Sequence, residues 1–369
     1  MRSWGGETVI KKILLVVVCL LVCFGAFAED PALRDQRRTL RASAFEEAGI
    51  ENAPALEELE DALEVPLTDE ALYSSACIGN DVYVLSAQGV HQIGTDGEHT
   101  YFACDTPGTR IRQLFVQNGE LWGFALCEGE EAGEAMSSCY GKITLQDGEV
   151  RIDKCADLDL NLYENRDGYG SRTGLQYDLF AMGGRTYAVD HVDEDAKGTC
   201  LISYDCDTGK GSCLARYYGV YDMIPYKDAS ILALHETKTH LFQDSGASMD
   251  SIENPTHKVM TLFDTQTNTY EVVMEFAGNG YLTSSGHALW GGAPAGMAYD
   301  PGEDCLYYTY LGELHRVEGL DFATDTVIAE APGNWLYPTG CWTKSYVTED
   351  GHYMNIVPYA GVDIMDISA

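Results

Sequence analysis

The sequence predicts an all-β fold, a β-propeller that most simply has six blades of four antiparallel strands. Six segments share one pattern, a polar turn followed by an apolar run that usually carries an aromatic residue. They begin at Gly79, Gln117, Gly183, Lys227, Gly302 and Glu349. Each is followed by a second strand of alternating apolar and polar residues, and these second strands recur at intervals of 48 to 59 residues. They begin at Val90, Lys142, Leu201, Val259, Leu314 and Val362.

The turns and the repeat length favour a propeller over a sandwich. Asp-Gly and Asp-Thr-Gly turns suit reversals between antiparallel strands. A four-stranded meander needs roughly 40–50 residues, so each interval accommodates one blade. Repeated units of this kind bury one another's faces when they are packed side by side in a ring. Short strands at irregular spacing also occur in β-sandwiches, but six matched two-strand units argue against one.

Residues 1–28 are typical of an export signal. Lys11 and Lys12 precede a 16-residue apolar run that ends in Ala26-Phe27-Ala28. A basic flank, a short apolar core and small residues at the end predict a cleaved signal peptide. We therefore expect a secreted or cell-surface extracellular protein, in contact with a membrane only if the segment stays uncleaved.

Residues 29–70 have helix-forming composition and are predicted to be a helical linker, which leaves residues 71–369 for the propeller. The last blade is incomplete, because the segment from Val362 is only its third strand. Two explanations remain open. A strand at Glu64–Thr68 could supply the missing outer strand and close the ring, since an unpaired edge invites unwanted pairing. Alternatively, the sequence is a fragment of a longer protein.

The segment Pro294 to Asp321, PAGMAYDPGEDCLYYTYLGELHRVEGLD, resembles the repeat of low-density-lipoprotein-receptor-type and NHL-type six-bladed propellers. Tyr307-Tyr308-Thr309-Tyr310 takes the place of that repeat's "LYWTD" strand, without its closing aspartate. The resemblance implies a propeller and does not imply a ligand. More loosely, the chain resembles propeller segments that precede solute-binding domains in Gram-positive secreted proteins.

Charge and composition narrow the range of partners. The formal net charge is −35, so we expect no nucleic-acid partner. Long loops of blades two to four and aromatic residues in the connections between blades predict a binding surface for an extracellular small molecule, glycan or protein. The alternative is that these rings pack under their own loops. The candidate ligand-binding residues are Tyr163, Tyr169, Tyr281, Trp290, Trp335 and Tyr337.

Asp190, Asp193 and Asp195 crowd one loop and make Ca²⁺ the one metal cofactor that the sequence suggests. Calcium needs six or more oxygen ligands in a shaped cage, and this loop lacks the EF-hand pattern with its glycine and terminal glutamate. No other cofactor is predicted.

Ten cysteines lie beyond the predicted cleavage site, and spacing supports two local disulfides. Cys200 and Cys213 flank a predicted hairpin turn, and Cys127 and Cys139 bracket a predicted loop. The alternative for these cysteines is that they fill the core as small apolar residues.

The sequence contains no local catalytic motif: zinc-binding spacing, a GxSxG elbow and a phosphate-binding glycine loop are all missing. We therefore expect no catalytic residues and a secreted, non-enzymatic recognition module. One alternative is a truncated propeller part of an extracellular solute-binding protein. The other is a hydrolase or lyase whose site is assembled from distant segments.

Overall fold

The computed structural model describes the strands of the predicted propeller together with most of their tight turns. The described residues are 63–67, 72–104, 109–127, 137–157, 179–183, 185–191, 199–204, 211–217, 220–227, 229–236, 258–276, 295–310, 313–330, 344–357 and 361–368. The predicted signal peptide and helical linker lie outside these ranges, apart from the strand at 63–66. Within them, no helix is long and apolar enough to cross a membrane.

In the described ranges, twenty-four strands form six antiparallel units of four strands, which we number I to VI. Unit I contains β2 Leu72–Ile78, β3 Asp81–Ser86, β4 Gly89–Gly94 and β5 His99–Ala103. Unit II contains β6 Thr109–Gln117, β7 Glu120–Cys127, β8 Ser137–Gln146 and β9 Glu149–Asp157. Unit III contains β10 Leu179–Met182, β11 Arg185–His191, β12 Thr199–Tyr204 and β13 Gly211–Tyr217.

The second half of the chain repeats this order. Unit IV contains β14 Val220–Tyr226, β15 Ser230–Glu236, β16 Lys258–Asp264 and β17 Thr269–Phe276. Unit V contains β18 Ala295–Asp300, β19 Cys305–Tyr310, β20 Glu313–Glu318 and β21 Thr326–Glu330, with a 3-10 turn at Phe322–Thr324. Unit VI contains β22 Lys344–Val347, β23 His352–Val357, β24 Gly361–Asp366 and β1 Leu63–Pro66.

Each unit is a meander in which neighbouring strands are consecutive in the chain, except that β1 completes unit VI. Units I and II are further joined into one eight-stranded sheet by a single parallel pairing, Ala103 with Glu149. In unit VI, β1 pairs antiparallel with β24, so that Leu63 lies opposite Ile364 and Pro66 lies opposite Gly361. The N-terminal part of the chain thus provides the outermost strand of the C-terminal unit.

Apolar clusters fill the spaces between neighbouring units. Leu85 of unit I packs with Leu114 of unit II, and Tyr187 of unit III packs with Phe263 of unit IV, within buried clusters. Further clusters join unit IV to V, V to VI, and VI to I with β1. Burial of facing sheets between neighbours is the arrangement that stabilises a propeller, because no single four-stranded sheet can bury both of its faces alone.

Polar contacts strengthen the meeting of the last unit with the first. Thr95 Oγ1 donates to Asp350 Oδ2 at 2.7 Å, and the Asp350 amide donates to Asn80 Oδ1 at 3.1 Å. The Glu349 amide donates to the Gly79 carbonyl at 3.3 Å. These bonds join turns at the same ends of units VI and I.

The prediction of an all-β propeller fold is confirmed. In the described residues, strands account for nearly all regular structure, and the units follow the predicted repeats in order. The two strands predicted in every repeat correspond to the second and third strands of each unit.

Candidate functional site

The first strands of all six units surround one central cavity of about 960 Å³. Its walls are formed by residues of β2, β6, β10, β14, β18 and β22. The lining extends to the turns that follow these strands, at Gly79, Asn118, Gly302 and Gly351. The cavity therefore reaches the face that carries the turns between first and second strands, opposite the face on which the sequence predicted ligand-binding loops.

A buried ion pair joins a cavity-lining lysine to an aspartate that lies behind the lining. Lys344 Nζ on β22 contacts Asp222 Oδ1 on β14 at 2.8 Å and donates to the Met223 carbonyl at 2.9 Å. The Lys344 side chain is 12% exposed and that of Asp222 is 2% exposed. Because both charges are withdrawn from water, their mutual attraction and the hydrogen bonds must offset a large desolvation cost. Such a pair is a weak source of stability and is more typical of a functional requirement.

Asp222 also binds the unit between its own and that of Lys344. The Met297 amide on β18 donates to Asp222 Oδ2 at 3.0 Å. A β-bulge makes this amide available, because the register of β18 against β19 shifts between Ala295 and Ala298. Gly296 lies in the bulge with φ of +56°, a conformation that favours glycine.

The position of Asp222 in β14 has a neutral counterpart in unit I. In unit I, Ser74 follows a bulge in β2, and its Oγ accepts from the Leu114 amide of the next unit at 3.0 Å. Asp222 likewise follows a bulge in β14 and accepts from a neighbouring first strand. A neutral hydroxyl is therefore sufficient to link adjacent units. The carboxylate and the lysine beside it require a different explanation.

Strand alternation places Lys344 and Tyr346 on one face of β22 and Ser345 on the other. Both Lys344 and Tyr346 line the cavity, and Tyr346 Oη lies 3.0 Å from Ser75 Oγ of unit I. Ser345 also lines the cavity, and its Oγ donates to Asn355 Oδ1 at 2.7 Å. Tyr353 donates to the Gly296 carbonyl. This buried polar layer fixes β22 against β18 and thereby holds Lys344 in place.

Cys77 also lines the cavity but is a poor nucleophile. Burial, assisted by the charges of Asp81, Glu349 and Asp350, raises the pKa of its thiol to about 12. A thiol with this pKa is almost entirely protonated near neutral pH, whereas catalysis by cysteine needs the thiolate. Lys344, paired with Asp222, is therefore the basic group of the described cavity lining.

The sequence-predicted ligand residues cannot be placed in this site. Tyr163, Tyr169, Tyr281, Trp290, Trp335 and Tyr337 all lie outside the described residues. Asp193 and Asp195 also lie outside them, and the side chain of Asp190, in β11, is not described. Within the described part of the chain, no group of three or more His, Cys, Asp or Glu side chains is placed to hold a metal ion.

The backbone register locates the four disulfide candidates. Cys213 lies opposite Ile202, and Cys200 lies opposite Arg216. Cys139 lies opposite Ala125, and Cys127 lies opposite Ser137. The members of each pair are thus on adjacent strands but are not direct partners. The side chains of Cys200, Cys213 and Cys127 are outside the described set, so both disulfides stay predictions.

Sequence reasoning missed Lys344, Asp222 and Tyr346. The available signal was charge inside an apolar first strand, since Asp222 lies in VYDMIPY and Lys344 opens KSYV. Two charges in first strands of different repeats are expected to meet only if the repeats are known to form a ring. The proximity of Asp222 and Lys344 therefore cannot be predicted from the sequence around either residue.

Comparisons with known proteins agree on the fold. No protein-family model matches the sequence, and no curated protein matches it significantly. Among solved structures, a gluconolactonase from Xanthomonas campestris is similar at 10% identity and a TM-score of 0.44, covering 88% of this chain and 92% of that one. An oligogalacturonate lyase is similar at 7% identity and a TM-score of 0.43, covering 78% and 74%. A streptogramin B lyase is similar at 11% identity and a TM-score of 0.41, covering 82% and 96%.

These structures are propeller-type folds, and at such low identities the similarity concerns the fold alone. One expectation is nevertheless corrected. The leading prediction, a non-enzymatic recognition module, is contradicted, because most of the similar structures are enzymes by name. Export from the cell stays a prediction.

Proposed function

We propose that the chain is a hydrolase or lyase whose active site is the central cavity, and that the six units are six blades of one closed ring. The observation that carries this proposal is the buried Lys344–Asp222 pair in the cavity wall, joined at 2.8 Å across units VI and IV. The predicted export signal further suggests that the enzyme acts outside the cell.

The chemistry follows from where negative charge develops. Hydrolysis of an ester or lactone passes through a tetrahedral oxyanion, and elimination of a group β to a carbonyl passes through an enolate-like oxygen. A fixed ammonium in a cavity of low dielectric stabilises either oxygen without reorganisation during the reaction. Lys344 is the candidate for this role, and Asp222 keeps its side chain charged and fixed.

Tyr346 and Ser75 provide the second polar element. Their oxygens lie 3.0 Å apart in the cavity wall, and Tyr346 is two residues from Lys344 on the same face of β22. In the proposed reaction the Tyr346 hydroxyl donates its proton to the leaving group, while Ser75 orients that hydroxyl. The proton lost by the attacking water, or by the α-carbon in elimination, passes to solvent water, and solvent reprotonates Tyr346. The residues assigned a role lie in three first strands: β2, β14 and β22.

The test is a turnover screen with three classes of substrate: carboxylic esters, lactones, and carbonyl compounds with a β leaving group. Released acid reports hydrolysis, and the ultraviolet absorbance of a new conjugated double bond reports elimination. We expect Lys344→Met to lower turnover by roughly 100-fold or more, the size found for removal of one oxyanion donor.

Two further variants control for structure. Lys142→Met removes an exposed lysine of β8 and should leave turnover unchanged. Asp222→Asn with Lys344→Met removes both buried charges and keeps an acceptor for the Met297 amide. Wild-type turnover in Lys344→Met, or the absence of turnover from all three classes, would refute the proposal.

A further inference from the structure

The cavity is suited to a small molecule with an apolar or aromatic part. Its volume of about 960 Å³ lies within the range of small-molecule sites. Aromatic residues contribute to its lining from four of the six units: Phe115, Phe180, Tyr299, Tyr307 and Tyr346. Aromatic faces bind apolar groups by contact and cations through the ring quadrupole.

The rim of the cavity is acidic. Asp300, Glu303, Glu349 and Asp350 all line it, in the turn regions of units V and VI. Glu303 is partly balanced by Arg316 at 3.4 Å. Lys344 is the lysine of the lining, and its charge is matched by Asp222. The described lining therefore carries a net negative charge, in a chain whose formal charge is already −35.

The carboxylates of the rim also affect a side chain of a neighbouring unit. Besides burial, the charges that raise the pKa of the Cys77 thiol are those of Asp81, Glu349 and Asp350. Cys77 belongs to unit I, whereas Glu349 and Asp350 belong to the hairpin of unit VI. Glu349 and Asp350 thus act on a group of the neighbouring unit I, whose first strand also lines the cavity.

A neighbouring contact shows how an ammonium is held at this end of the molecule. Lys227 Nζ lies 5.0 Å from the centre of the Tyr226 ring and 3.1 Å from an oxygen of Asp304. The Tyr299 hydroxyl donates to Asp304 at 2.8 Å, and the Tyr226 and Tyr299 rings are 4.6 Å apart. An ammonium between one tyrosine ring and a carboxylate is therefore already present beside cavity-lining Tyr299.

From these contacts we infer that the substrate of the cavity is an organic cation, a small molecule with an ammonium or guanidinium group attached to an apolar or aromatic body. The cationic group lies at the rim near Asp300 and Glu349, and the apolar body lies against the tyrosines below. This inference rests on the proposed function in placing the substrate inside the cavity.

Three probes of similar size and different charge test it: 2-phenylethylamine, 2-phenylethanol and phenylacetate. Binding to the full chain is measured by ligand-observed NMR titration at low and high salt. We expect the amine to bind most tightly and phenylacetate most weakly. The advantage of the amine over the alcohol should shrink at high salt, because exposed charges are screened.

A matched pair of variants locates the effect. Asp300→Asn with Glu349→Gln removes two rim charges and retains the acceptor of the Asp300 turn, which binds the Gly302 amide at 2.8 Å. We expect roughly fivefold weaker binding of the amine and unchanged binding of the alcohol, as two partly exposed charge interactions would give. The control, Asp153→Asn with Glu271→Gln, makes the same charge change on outer strands and should alter neither.

The outcomes separate this inference from the proposed function. Phenylacetate binding as tightly as the amine, no binding of any probe, or equal effects of the two double variants would each overturn it. If the amine preference holds while Lys344→Met has normal turnover, only the proposed function fails. If turnover depends on Lys344 but the preferred substrates are anionic, only this inference fails.

Discussion

At the scale of single residues, the central feature is a lysine that the fold keeps away from water. Lys344 and Asp222 are brought together from positions far apart in sequence, and the Met297 amide binds the second oxygen of the same carboxylate. Ser74 shows that a hydroxyl can form the corresponding link between units. The additional charges are costly to bury, which is why we assign them to chemistry.

The effect of the buried Lys344–Asp222 pair on the free energy of unfolding can be measured. Asp222→Asn should lower the free energy of unfolding by about 3 kcal/mol, because Lys344 loses the negative charge beside it while the hydrogen bond to Met297 is retained. Adding Lys344→Met removes the remaining charge and should restore at least half of that loss. Urea unfolding of both variants gives the comparison. A double variant that is no more stable than Asp222→Asn would contradict the assignment of the loss to charge.

At the scale of elements, the first strands hold the site, and four of them pair irregularly with the second strands. Pairing registers shift in β2, β6, β14 and β18. A bulge breaks the two-residue alternation and turns a side chain or an amide in a new direction. The bulge that presents the Met297 amide to Asp222 also interrupts the apolar–polar alternation of β18, which makes this strand harder to predict from sequence.

Strand β1 offers a test of how the last unit is completed. Gly361 has φ of +136°, and a Cβ there would lie 2.0 Å from the Val65 carbonyl oxygen and 2.8 Å from the Leu67 amide. Gly361→Ala should therefore lower the free energy of unfolding by about 3 kcal/mol and speed amide exchange in β1. Gly148→Ala, with φ of +79° and nothing within 4 Å, is the matched control and should cost about 1 kcal/mol. Equal losses in the two variants would show that the contact with β1 contributes nothing.

At the scale of the whole molecule, the fold was largely predictable from the sequence. The runs from Gly79 and Val90 correspond to β3 and β4, and the other ten predicted strands have counterparts in the same order. These strands have clear alternation and are separated by tight turns such as Asp147-Gly148, both with positive φ. Local pattern was sufficient because each unit is a local meander.

The site was not predictable in the same way. Asp222 and Lys344 are 122 positions apart, and only the order of units around the cavity brings them together. The sequence predicted binding groups in long loops and in the aromatic connections between blades. The six aromatic candidates lie outside the described residues. The candidate site instead lies on the first strands. Residues there serve both packing and the site, so the local sequence pattern does not distinguish the two roles.

The measurement that tests the cavity most directly is turnover by a variant in which it is filled. Ala181 lines the cavity on β10, a strand that carries none of the residues assigned a catalytic role. Ala181→Trp therefore fills the cavity without replacing Lys344 or Tyr346. We predict that this variant keeps its β-type circular dichroism and its melting temperature but loses at least tenfold in turnover, together with binding of 2-phenylethylamine. Unchanged turnover in the filled variant would contradict the assignment of the active site to the centre of the ring.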